Sequence, residues 1–208
     1  MLAEIREHLA ASAGIDHEVS APVTATAAND APAVNLVELF RDALEAVNGQ
    51  CIVVRTGAEA AANLQQLIEQ YEAERIAVSD SPLVHGLLQQ ISCDAQVLQN
   101  AAPSELFDCD AGITSAQWAI AETGTLVLES HRERHRLVSL VPPVHLAIVE
   151  SSRIRRTMSE VLAAVNQPGE LSRTVTFITG PSRTSDIELT LAIGVHGPGQ
   201  LHVIVIDR

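Results

Sequence analysis

The chain contains no lysine: its 13 basic residues are all arginine, against 26 acidic ones, and the formal charge is -13. Without lysine there is no Schiff-base amine and no P-loop cation, which removes several large enzyme classes. The acidic balance repels a phosphate backbone, so no nucleic acid is expected as a partner. Aromatic residues are only 2% of a sequence that is 47% hydrophobic, so the core must be filled by Ala, Val, Leu and Ile. Cys51, Cys93 and Cys109 are widely spaced with no C-x-x-C pair. That spacing suits reduced thiols and provides no ligand set for an iron–sulfur cluster. No G-x-G-x-x-G follows an early strand, so no tightly bound flavin or nicotinamide is expected, and no cofactor at all. Long apolar runs are missing too. Residues 137–149 are interrupted by Pro142, Pro143 and His145, and residues 1–13 carry Glu4, Arg6, Glu7 and His8 where a signal peptide would be apolar. The expectation is a cytoplasmic protein with no membrane span.

What is present fits one sizeable core, since 208 residues are too few for two ordinary domains. Residues 1–34 read as an N-terminal helix (2–12) followed by an Ala/Thr/Ser/Pro-rich linker, and residues 35–208 as the domain itself. Asn35 and Glu38 have capping-box spacing ahead of an apolar stripe through Leu36, Phe40 and Leu44. Strands are expected near 51–54, 75–79 and 96–98, separated by helices over 58–71 and after Pro82. Strands alternating with helices imply an α/β fold with a mainly parallel sheet and helices on both faces. Residues 112–121 read as a helix containing Trp118. Strands at 125–129, 136–140 and 144–149 then suggest a small antiparallel insertion. Thr157 and Glu160 cap a further helix, with strands at 174–179 and 201–206 closing the sheet.

Three loops offer chemistry. Residues 180–188 leave a strand and, with Ser185 and Glu188 at capping-box spacing, are expected to enter a helix. There Ser182, Arg183, Thr184 and Asp186 would surround a small carboxylate or phosphate, Arg183 supplying a charge-assisted fork beside the helix N-terminus. A well-capped turn with Arg183 paired to a neighbouring acid accounts for the same residues. Gly194 to Gly199 form a glycine-rich turn that presents His196 beside Gly197, as an acid/base group or as a structural histidine. Glu122-Thr123-Gly124-Thr125 follows the expected Trp118 helix. Gly124 is either a left-handed helix stop or a bare stretch of backbone against a ligand, with Glu122 as base or nucleophile and Thr123 and Thr125 as donors. The run His131 to Arg136 alternates His, Glu and Arg, which reads as a charged turn rather than a metal site.

In order along the chain, A-I-A-E-T-G-T-L-V-L (119–128), L-V-P-P-V-H (140–145), G-P-S-R-T-S-D-I-E (180–188) and G-V-H-G-P (194–198) resemble the lactate-utilisation protein C family, the LUD domain. The resemblance runs from about Asn35 to Arg208. It implies a fold similar to the CoA-transferase and ribose-5-phosphate isomerase group. It also implies a role in oxidising L-lactate to pyruvate beside two partner proteins that bear iron–sulfur centres. It supplies no catalytic residue. Two roles follow: a substrate-binding or accessory subunit of a lactate-oxidising complex, or a stand-alone enzyme acting on a CoA thioester or sugar phosphate through Glu122.

Overall fold

The computed structural model describes residues 35–130, 136–166, 172–185, 191–193 and 197–208. The expected arm and linker (1–34), residues 131–135, Asp186 and His196 lie outside the described residues.

The chain runs α1 (Leu36–Ala46), β1 (Gln50–Val54), α2 (Gly57–Gln70), β2 (Arg75–Val78), α3 (Pro82–Leu88) and β3 (Gln96–Gln99). It continues through β4 (Ala111–Ser115), β5 (Trp118–Ile120), β6 (Thr125–Glu129), β7 (Val144–Glu150), β8 (Ile154–Arg155) and α4 (Met158–Val165). The last strands are β9 (Val175–Ile178), β10 (Arg183–Ser185), β11 (Leu191–Ile193) and β12 (Gln200–Ile206). Side-chain caps start three of the four α-helices among the described residues. Asn35 accepts from the backbone N–H groups of Val37 and Glu38, Thr56 from Glu59, and Thr157 from Glu160, which satisfies donors that would otherwise have no partner.

Six strands form one parallel sheet in the order β1-β12-β7-β4-β2-β3. Its central strands are covered on both faces, so β4 is buried at every position and β7 at all but its last. One face packs against α2 and α3 through Leu64, Ile68, Val84, Leu87, Ile113 and Leu146. The other face packs against α1 and a smaller sheet through Phe40, Leu44, Leu126, Ala147 and Val203. That smaller sheet, β8-β5-β6-β9, is antiparallel at β5–β6 and β6–β9 and parallel at β5–β8. The α/β architecture with a mainly parallel sheet is as expected from the sequence; the antiparallel part is made by β5, β6 and β9, whereas 144–149, expected within it, is β7 inside the parallel sheet.

Four further local expectations are corrected. Residues 112–121 are not a helix but β4 and β5: a strand buried on both faces shows no alternation, so its apolar run has no period to separate it from a buried helix. Residues 136–140 are not a strand. Arg136–Ser139 is a 3-10 turn whose backbone lies on β4, where a Cβ on Gly112 would sit 2.0 Å from the Val138 carbonyl oxygen. Arg183–Ser185, expected on the way into a helix capped by Ser185, pairs antiparallel with Leu191–Ile193, while residues 186–190 lie outside the described residues. The strand before it, β9, is half-buried at the edge of the small sheet instead of buried in the parallel one.

Candidate functional site

The residues singled out by sequence separate into two groups. Ser182 and Gly197 come together: the Ser182 N–H donates to the Pro198 carbonyl (2.8 Å), and a Cβ on Gly197 would lie 3.2 Å from the Ser182 Cβ. They line a cavity of about 210 Å3 with Ser139, His145, Phe177 and Thr179. Because β9 belongs to the small sheet, this cavity opens at the amino ends of β7 and β12, between the two sheets. Thr123 and Thr125 reach its rim through hydroxyls, Thr123 Oγ1 to Thr125 Oγ1 and Thr125 Oγ1 to Thr179 Oγ1, each 2.7 Å.

The other group faces elsewhere. An Arg183 Nη2 hydrogen donates to the Val47 carbonyl just past the end of α1, a favourable place for a cation next to the negative end of a helix dipole. Gly180, at φ +86°, packs on the same residue, with the position of a Cβ only 2.9 Å from the Val47 oxygen. Gly124 has φ +61°, the left-handed conformation, and a Cβ there would lie 2.3 Å from the Leu44 backbone nitrogen. The space in front of its bare Cα is therefore filled by α1. Glu122 is exposed and pairs with Arg156, Oε1 to Nε 3.2 Å. Thr184 is placed by its backbone within β10.

The residue that changes the character of the cavity is His145, which the sequence reading passed over although it ends the L-V-P-P-V-H motif. It is 1% exposed, its Nε2 shares a hydrogen bond with Thr114 Oγ1 (2.8 Å), and its Nδ1 has no partner among the described residues. Burial pushes its pKa down to about 3, so the ring is neutral at physiological pH. The usable clue was a histidine inside an otherwise apolar strand, because such a group must find hydrogen-bond partners or a ligand. No charged side chain lines the cavity among the described residues. It suits a small ligand held by hydroxyls and a neutral imidazole.

A second opening lies at the carboxyl ends of the parallel strands. It measures about 240 Å3 and is lined by residues 81–83 after β2, 115–118 after β4, and Glu150 and Arg153 after β7. The sequence reading singled out none of these as ligand contacts.

With this geometry in place, the comparisons with known proteins converge. The LUD domain model matches residues 37–206. The chain is 29% identical to Lactate utilization protein C of Geobacillus thermodenitrificans over 191 residues, covering 80% of each chain. It is 32% identical over 174 residues to an uncharacterised protein of Neisseria meningitidis serogroup B, covering 83% of this chain and 67% of that one. A Lactate utilization protein C from Deinococcus radiodurans is 40% identical over 114 residues, 53% of this chain and 54% of the relative. Among solved structures, a DUF162 family protein from Deinococcus radiodurans shares the fold, with a TM-score of 0.63 at 24% identity over 84% of this chain and 99% of that one. The matched span takes in both sheets and the loops around the Ser182–Gly197 cavity, and the chain belongs to the LUD domain family.

Proposed function

We propose that the protein is the cluster-free member of a cytoplasmic system that oxidises L-lactate to pyruvate, working beside iron–sulfur partner proteins as a substrate-binding or accessory subunit. The observation that carries this reading is kinship with proteins named Lactate utilization protein C over four-fifths of both chains. The thiols support it. Cys51 on β1 is pushed up to about 12, mainly by burial and then by Glu45, and burial also raises Cys109. The strands they adjoin, β1 and β4, are three positions apart in the sheet, roughly 14 Å. Electrons would then travel through partners. No described helix is long and apolar enough to cross a membrane.

In this role the Ser182–Gly197 cavity holds a small ligand, with Ser182 and Thr179 as hydroxyl contacts, the Thr123–Thr125 pair behind them and His145 as a neutral hydrogen-bonding wall. In sequence, His196 precedes Gly197 and Asp186 lies four residues beyond Ser182. Deleting the gene should abolish growth on L-lactate and leave growth on pyruvate intact. Tagged protein purified without oxygen from lactate-grown cells should bring iron-bearing proteins with it. Normal growth on L-lactate would overturn the role, and purification without iron would overturn the partnership.

A further inference from the structure

The opening at the carboxyl ends of the strands is separate from the Ser182–Gly197 cavity. Along β7 the two are divided by the rise from His145 to Glu150, roughly 16 Å. From β2 the chain steps outward to β3, and β4 returns on the other side of β2. The segments leaving the carboxyl ends of β2 and β4 therefore part, and it is in such a crevice that open parallel sheets take their ligands. At about 240 Å3 it is smaller than sites for nucleotides or drug-sized molecules and matches a small organic acid.

Arg153 gives the crevice its chemistry. Its guanidinium lies over the Trp118 ring, 5.2 Å from the centroid, and no carboxylate pairs with it among the described residues. In a chain with a net charge of -13, a lining cation without an acid partner runs against the trend. Neighbouring Arg155 also stacks on Trp118, at 4.8 Å, but donates to the carbonyls of Ser152 and Ile154 and so is committed to the backbone. The acid in the lining, Glu150, is balanced by Arg208, whose Nη2 lies 2.9 Å from Oε1.

The surroundings are fixed in place. The Trp118 indole N–H donates to the buried Glu129 carboxylate (3.0 Å), and stacking on this held ring leaves the in-plane N–H fork of Arg153 available. Gln117 Oε1 accepts from the Glu129 backbone N–H (2.7 Å), so its amide nitrogen is the end left to donate, reaching Ser115 Oγ only at 3.5 Å. The Ser81 hydroxyl does not cap the helix it precedes.

We infer that this crevice is a binding site for a small organic monocarboxylate. Arg153 forks the carboxylate, Trp118 walls it, and the Gln117 amide and Ser81 hydroxyl meet a polar group on the adjacent carbon. In the lining, Arg153 is the cation without a carboxylate partner among the described residues, and its planar fork matches one carboxylate, whereas a phosphate dianion would leave a charge that the lining does not meet. The inference goes beyond the lactate reading and does not depend on it.

Trp118 is the only tryptophan in the chain, so its fluorescence reports on the crevice. Titrating the full chain with L-lactate, pyruvate and inorganic phosphate, with calorimetry in parallel, should give saturable binding of at least one of the two carboxylates. Phosphate should bind at least about tenfold more weakly. R153Q should weaken carboxylate binding about tenfold or more, as expected for the loss of a charge-assisted fork, with its thermal melt unchanged. R153K, which keeps the charge and loses the fork, should fall between, and it carries the test if R153Q does not fold. The inference is overturned by absence of carboxylate binding up to roughly 10 mM, by phosphate binding as tightly as the carboxylates, or by affinity that falls with S182A and not at Arg153. None of these outcomes bears on the growth phenotype, so the lactate role stands or falls separately.

Discussion

The region that carries the family motifs and the region that carries none divide the work differently from what their sequences suggest. Gly124, Gly180 and Arg183, all within motifs, hold α1 against the small sheet: two bare Cα atoms and a guanidinium meet the backbone of residues 43–47. Residues 81–83 and 115–118 with Glu150 and Arg153 form no recognisable pattern, yet they frame the crevice, where the arginine lies over Trp118 with no carboxylate partner among the described residues. A motif records where backbones must approach closely as readily as it records chemistry.

The most severe test of this contrast is Gly124→Ala. A methyl group within 2.3 Å of the Leu44 nitrogen, on a residue at φ +61°, should cost about 3 kcal/mol or more in urea denaturation, or prevent folding. Gly86→Ala, in α3 beside the crevice and with nothing within 4 Å, should instead be neutral or stabilise by up to about 1 kcal/mol. Near-native stability of Gly124→Ala would break the contrast.

Acid should produce the next largest effect. Burial depresses the pKa of His145 from the usual 6.5 to about 3, and lowers His202 as well. Below pH 6.5 the unfolded chain takes up protons that the folded chain refuses. Stability should therefore fall as pH falls from about 6.5 towards 5, by at most about 1.4 kcal/mol per pH unit for each histidine. His145→Gln should flatten that slope by one histidine's share, read from urea midpoints at successive pH values. His202, on the opposite face with its Nε2 2.6 Å from the Tyr71 hydroxyl, should retain its own share. An unchanged slope in His145→Gln would show that the ring is not buried as a neutral group.

The smallest effects concern the two charges that looked most chemical. Arg183→Ala should lose about 1 kcal/mol, the value of one hydrogen bond and a favourable helix end. Glu122→Gln should change stability by less than about 0.5 kcal/mol, as for an exposed ion pair, and should leave growth on L-lactate intact. Loss of growth in Glu122→Gln would return that carboxylate to the chemistry.

How much was legible in the sequence varied with the kind of signal. Caps at Asn35 and Thr157 and the alternation of strands and helices were readable because they are local. The run from Gly112 to Ala121 was not, because full burial on both faces erases the period that distinguishes a strand from a helix. Ser185 with Glu188 had the spacing of a cap, but whether Arg183–Ser185 pairs with Leu191–Ile193 is decided across strands rather than along one. The outward turn of Arg183 and Glu122 was not legible, because both depend on where α1 and Arg156 come to lie. The crevice was invisible, since it exists only once strand order places β2 beside β4.

That same strand order bears on how the protein acquires its structure. The ladder partner of β1 is β12, and Gln50 pairs with His202 about 150 residues further along, for which closing the connection costs roughly 4.5 kcal/mol of chain entropy. During synthesis β1 emerges early and then waits, with its backbone donors and acceptors unpaired, while most of the chain is made. Folding should therefore be slow for the protein's size, and the waiting strand is where a nascent chain would be most exposed to mispairing or to capture by a chaperone.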